Sequence, residues 1–125
     1  MGAWGHKLLE NDLALDLMFE LTSTKDVKDS VLNILNNSTF VDELILAVEI
    51  IDISLNGLDD SILGNLFEYK EWFEKLTEEP MTDLKDTAME TMQHIRKDDR
   101  GWFPSAIRNR NDLLNRIEER LKGVE

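Results

Sequence analysis

An all-α fold, a compact single-domain bundle of about six helices with an N-terminal loop packed on it, is the architecture this sequence predicts. Three observations carry that reading. Apolar residues recur at steps of three, four and seven along much of the 125-residue chain, the spacing that lines one face of a helix. Asn, Asp, Ser and Thr precede those stretches, where a side-chain oxygen can accept from the orphan amides of a first helical turn. Gly57, Pro80 and Gly123 follow them, as chain-reversing or helix-stopping residues should.

The first helix is expected to start at the Asn11-Asp12 pair and reach about Leu21, on Ala14, Leu15, Met18, Phe19 and Leu21. Ser23 and Thr24 are expected to cap the second. Its apolar stripe is Val27, Val31, Ile34 and Leu35, and it stops at Asn36-Asn37-Ser38, whose side chains compete for the backbone and favour turns. Residues 41 to 55 are the most hydrophobic stretch. Their isoleucines would also suit a buried strand, but the length and the Gly57 stop favour a helix, with Thr39 as cap. The polar residues Asp42, Glu49, Asp52 and Asn56 follow at steps of seven, three and four, so they share one narrow stripe and the remaining circumference is apolar. Such a helix belongs at the centre of a bundle.

Beyond the capping pair Asp59 and Asp60, a fourth helix uses Ile62, Leu63, Leu66, Phe67, Tyr69, Trp72, Phe73 and Leu76, weakened at Gly64. Pro80 breaks the chain. Thr82 with Asp83 starts a fifth helix on Leu84, Ala88, Met92 and Ile95. After a turn at residues 97–101, Ser105 is expected to cap a sixth helix on Ile107, Leu114, Ile117 and Leu121, with Gly123 just past its end. No internal repeat or linker interrupts the pattern, so residues 1–125 read as one domain.

Charge narrows the function classes. There are 26 acidic and 14 basic residues, a formal net charge of -12. By segment, residues 1–56 carry 3 basic and 10 acidic side chains, residues 57–95 again 3 and 10, and residues 96–125 carry 8 and 6. An acidic field of this size repels nucleic acid and anionic membranes and favours a basic partner, whose encounter it speeds at low salt. The absence of cysteine excludes disulfides, thiolate metal sites and a cysteine nucleophile. Charges interrupt every hydrophobic stretch well short of the roughly 20 residues a spanning helix needs. The N-terminus has no basic region followed by an unbroken apolar run. A soluble, cytoplasmic protein is the expectation.

The opening Met1-Gly2-Ala3-Trp4-Gly5-His6, followed by Leu9-Glu10-Asn11-Asp12 and then Ala14 and Asp16, resembles the start of a bacterial family of small proteins, domain of unknown function 4259. Leu46-Ala47-Val48-Glu49-Ile50-Ile51 is similar to that family's mid-chain helix with its glutamate, and Ile117-Glu118-Glu119-Arg120-Leu121 to its ending. The resemblance implies a fold and no catalytic residue, since the family has no established activity.

Residue chemistry gives little support for an enzyme. His6 lies near Glu10, Asp12 and Asp16, but one histidine among surface acids lacks the converging ligand set of a metal site. His94, four residues beyond Glu90, reads as a polar-face helical partner. Residues 97–100 lack the alternating ligands, central glycine and closing glutamate of a calcium loop. No phosphate loop, nucleophile elbow or paired-histidine zinc motif is present. Glu49 and Asp52 stand apart because a buried carboxylate requires hydrogen-bonding or cationic partners, for which Arg120 or the Trp4 loop are the nearest choices. No catalytic residue, metal ligand or cofactor is therefore expected.

What the composition fits is a non-enzymatic acidic binding protein. The form expected is an immunity protein that neutralises a basic, nuclease-type toxin domain by direct contact. The candidate surface is Glu68, Tyr69, Glu71, Trp72, Glu74, Glu78, Glu79, Asp83 and Asp86, acids surrounding two aromatic anchors. Because Trp72 and Phe73 adjoin, one helix face cannot bury both, and one is expected to face a partner. The alternatives are a structural or self-associating helical module, with a homodimer covering its apolar surplus, and a carboxylate-based metalloenzyme or hydrolase using Glu49 or Asp52.

Overall fold

The central helix is α2, Val41–Asn56, preceded by α1, Val27–Asn37. A computed structural model describes residues 19–38, 41–57, 70–97 and 104–123, except the side chains of residues 42 and 106. Every residue of α2 from Ile45 to Ser54 is buried, so the helix is enclosed around its whole circumference, as its near-continuous apolar sequence requires. Around it pack α1, then α3 (Lys70–Leu76), a 3-10 turn (Thr82–Leu84) that runs into α4 (Lys85–Lys97), and α5 (Pro104–Lys122). The described residues hold no strand, and residues 19–23 are helical. The all-α bundle expected from the sequence is the fold observed. No described helix is long and apolar enough to cross a membrane.

The core is shared by all these elements. Leu21, Val31, Phe73, Leu76, Met81, Leu84, Ala88, Met92, Ile95, Leu113, Leu114, Ile117 and Leu121 close over the isoleucines of α2. The four residues expected to anchor α4 and three of the four expected to anchor α5 are all buried; Ile107 is half-buried. The N-terminal loop with Trp4 and the start of the fourth helix around Gly64 lie outside the described residues.

Two helix starts differ from expectation. The N-cap of α1 is Asp26, whose carboxylate Oδ1 accepts from the Asp29 amide at 3.1 Å. Ser23 and Thr24 do not cap it, because their hydroxyls are engaged elsewhere. Ser23 Oγ donates to the Phe19 carbonyl at 3.1 Å, tying it to the preceding helical turn, and Thr24 Oγ1 accepts from Ser30 Oγ at 3.5 Å. Likewise α5 begins at Pro104, and Ser105 is an exposed residue within its first turn. Proline suits that place, since its fixed φ is already helical and its missing N–H would have had no partner.

Helix ends follow the sequence closely. Gly57 takes φ +87°, and its amide donates to the Ile53 carbonyl at 2.8 Å, the left-handed cap that ends α2. A Cβ placed there would meet no atom within 4 Å, so the cost of a side chain is purely that of the backbone. Gly57→Ala is expected to destabilise by about 1–2 kcal/mol, read from urea unfolding, because the left-handed region is costly for residues bearing Cβ. After α3, the chain is stapled to α2 by a buried hydroxyl: Ser54 Oγ accepts from the Met81 amide at 3.1 Å while donating to the Ile51 carbonyl at 2.7 Å.

Candidate functional site

Two places in this bundle carry chemistry, an interior clamp and an outer face. The clamp forms where α5 crosses the end of α2. Glu49 and Asp52, one turn apart on the polar stripe of α2, are both fully buried. Arg120 of α5 reaches Asp52 with Nε 3.2 Å from Oδ2, and one of its terminal nitrogens donates to the Gly57 carbonyl. In return Asn56 Nδ2 donates to the Arg120 carbonyl at 3.0 Å and to Asp52 Oδ1 at 2.8 Å. Arg120, named from the sequence as a partner for these acids, is thus the residue that fastens the C-terminus of α2 to α5. The Trp4 loop, the other partner named, lies outside the described residues.

A second polar network joins α4 and α5 nearer the surface. Glu118 accepts from Arg96 Nη1 at 3.1 Å and from Gln93 Nε2 at 3.1 Å, and Arg96 Nη2 also donates to Asn115 Oδ1 at 3.0 Å. Hydrogen bonding from Arg96, reinforced by its charge and that of Lys122, holds the Glu118 carboxyl below its ordinary value of 4.5. A depressed folded-state pKa means that this pair stabilises fully above the unfolded value and loses that contribution as pH falls through the folded one. Glu118→Gln is accordingly expected to cost at most about 1 kcal/mol at neutral pH and nothing in strong acid, measured as the pH dependence of unfolding.

On the outer face, the structure brings together some of the surface residues singled out from the sequence. Glu71, Glu74, Glu78 and Glu79 are exposed along α3 and the turn that follows it. Among them Trp72 is half-buried, its ring edge-on to that of the fully buried Phe73, with centroids 5.2 Å apart and planes at 77°. Of the adjoining aromatic pair, Trp72 is therefore the one with a surface. Asp86 is exposed in the first turn of α4. Asp83 is exposed but engaged, with Oδ2 2.5 Å from Lys28 Nζ of α1. Hydrogen bonding from Lys28 lowers the Asp83 pKa, and the same bond raises that of Lys28. Glu68 and Tyr69 lie outside the described residues.

Three features escaped the sequence reading. Arg110 is fully buried, its guanidinium donating to Asn111 Oδ1 at 3.2 Å and to the Arg96 carbonyl at 3.4 Å. Its signal was present: Arg110 stands three residues after Ile107 and four before Leu114, on the apolar stripe of α5. The Arg96–Glu118 network had no sequence signal beyond charge. The third is a groove of about 390 Å³ beside Trp72 whose lining mixes Lys25, Lys28 and Lys75 with Asp26 and Glu79.

No group of three or more acidic or histidine side chains among the described residues could hold a metal ion. His6 and its neighbouring acids lie outside those residues, as do residues 98–100 of the dismissed calcium loop. His94 and Glu90 are both exposed on α4.

Comparison with known proteins places the fold in a family without assigning it a chemistry. Neither curated proteins nor solved structures yielded one similar to this chain. A family model described as a domain of unknown function (DUF4259) matches residues 2–105. That span takes in the opening motif, Glu49, Asp52 and the face around Trp72, and stops before residues 117–121 and their Arg120. Matched over most of its length, the chain belongs to the DUF4259 family.

Proposed function

We propose that this protein is a non-enzymatic, acidic binding module that neutralises a basic, nuclease-type toxin domain by direct contact, as an immunity protein of the cytoplasm does. The observation that carries the reading is the run of exposed carboxylates, Glu71, Glu74, Glu78 and Glu79, around a half-buried tryptophan on a chain of net charge -12. Carboxylates in that number present a basic cleft with charge resembling the phosphates it would otherwise hold, while Trp72 supplies an aromatic anchor of the kind that dominates interface energetics. Asp86 extends the acidic face onto α4. Asp83 is a weaker contributor, because Lys28 already neutralises it.

The test is co-expression with the product of the gene immediately upstream. Rescue of growth from that product's toxicity, with a complex that weakens as salt rises, supports the reading. Toxicity without rescue, or no complex at low salt, contradicts it. A second reading, self-association, draws on one observation: Phe19 is 70% exposed, the largest apolar side chain left open among the described residues. Sedimentation decides it, since a dimer should show a concentration-dependent mass that Phe19→Ser abolishes.

A further inference from the structure

We propose that Asn56-Gly57 is a site of spontaneous hydrolytic modification, its asparagine converted to aspartate and isoaspartate, and that the Arg120 clamp holds this reaction shut. The chain has nine asparagines, and Asn56 alone is followed by glycine. In the reaction the Gly57 nitrogen attacks Asn56 Cγ, its proton passes to the departing Nδ2, and ammonia leaves a cyclic imide. Water then adds at either imide carbonyl and restores an amide N–H. One opening gives aspartate, the other isoaspartate, in which the main chain runs through the former side chain. Glycine favours the first step because it has no side chain to shield its nitrogen. Its surroundings give no shield either: Asn56 is exposed, and a Cβ built on Gly57 meets no atom within 4 Å.

What restrains the pair is hydrogen bonding. The nucleophile is engaged, since the Gly57 amide donates to the Ile53 carbonyl at 2.8 Å. The electrophile is fixed, since Asn56 Nδ2 donates to Asp52 Oδ1 at 2.8 Å and to the Arg120 carbonyl at 3.0 Å. Arg120 completes the set, its guanidinium on the Gly57 carbonyl and on Asp52. Attack therefore requires the last turn of α2 to open, and that turn opens only when α5 releases it. The product cannot rebuild the clamp. A carboxylate at position 56 has lost the donor, and its oxygens face Asp52 Oδ1 and the Arg120 carbonyl, which are acceptors too. Each release of α5 thus carries a chance of becoming permanent.

This inference needs no protein partner, so it can fail or hold separately from the function proposed above. The internal reference is Asn37-Ser38, whose amide donates to Asn33 Oδ1 at 2.7 Å within α1. The full chain is incubated in mildly alkaline buffer, and conversion at Asn56 and Asn37 is followed by peptide mass and isoaspartate content. Beside it stand the chain unfolded in guanidinium chloride, Arg120→Ala, and Asp52→Leu combined with Arg120→Met, the replacement that keeps the fold. Asn56 is expected to react at least about tenfold more slowly in the folded parent than in the unfolded chain, and at least about tenfold faster in Arg120→Ala than in the parent. The double variant should also react faster at Asn56, with Asn37 changed far less. Asn56→Asp, the direct product, should unfold at a lower urea concentration than the parent. Equal rates in the folded and unfolded parent, a double variant as slow as the parent, acceleration of Asn37 in equal proportion, or an unchanged midpoint for Asn56→Asp would each overturn the proposal.

Discussion

Arg120→Ala is expected to destabilise the protein by about 3 kcal/mol or more, the cost of removing one partner of a buried ion pair. Asp52 is fully buried, and the guanidinium is 20% exposed, so water can replace little of the lost interaction. The loss is compounded at the end of α2, where Arg120 also serves the Gly57 carbonyl, the cap carbonyl beyond the last helical residue. Replacing both partners tests the cause. Asp52→Leu combined with Arg120→Met should recover much of the stability, because two apolar side chains of similar size carry no desolvation cost. Urea unfolding of Asp52→Leu, Arg120→Met and the variant carrying both gives the coupling energy directly. Additive losses would mean that the pair contributes no mutual stabilisation and that the fold relies on the apolar contacts of α5 alone.

Phe73→Ala is the second large effect, about 3–5 kcal/mol by analogy with other buried phenylalanines. Phe73 is fully buried on a helix whose described part is only Lys70–Leu76, so its ring supplies much of what holds that segment against α2. Truncation leaves a cavity and also removes the edge-on support of the Trp72 ring. Trp72→Ala should behave in the opposite sense. With its ring half exposed it is expected to cost less stability than Phe73→Ala, and it should weaken partner binding by more per folded molecule. Thermal unfolding and binding measured on the same two variants separate core from surface. Equal losses of stability would place Trp72 in the core and remove it from the binding face.

The parts of this fold that were legible in the sequence are those governed by local physics. Helical spacing placed the core residues of α4 and α5, Gly57 ended α2 through a conformation that a residue with Cβ adopts only at a cost, and near-continuous hydrophobicity put α2 at the centre. Arg120 was named, beside the Trp4 loop, because buried carboxylates require hydrogen-bonding or cationic partners. Caps were less legible. Ser23 and Thr24 have the chemistry of N-caps, but whether a hydroxyl serves the helix ahead or the turn behind depends on where the previous helix ends, and the backbone decided for Asp26. The Lys28–Asp83 pair and the groove beside Trp72 were not legible at all. They join residues more than forty positions apart, and nothing in local spacing records which exposed charges the bundle will bring side by side. The acidic surface chosen from composition consequently divides into carboxylates that face outward and one, Asp83, already neutralised from α1.

The acidic face is tested most directly by the affinity of the chain for the upstream gene's product at low and high salt, measured beside a Glu71→Lys, Glu74→Lys, Glu78→Lys variant. A binding face made of these carboxylates predicts an affinity that falls steeply as the screening length shrinks from about 10 Å at 0.1 M salt, and a variant that has lost both the affinity and most of its salt dependence. If the variant binds as tightly as the parent with the same salt dependence, the acidic face of α3 is not the site of contact.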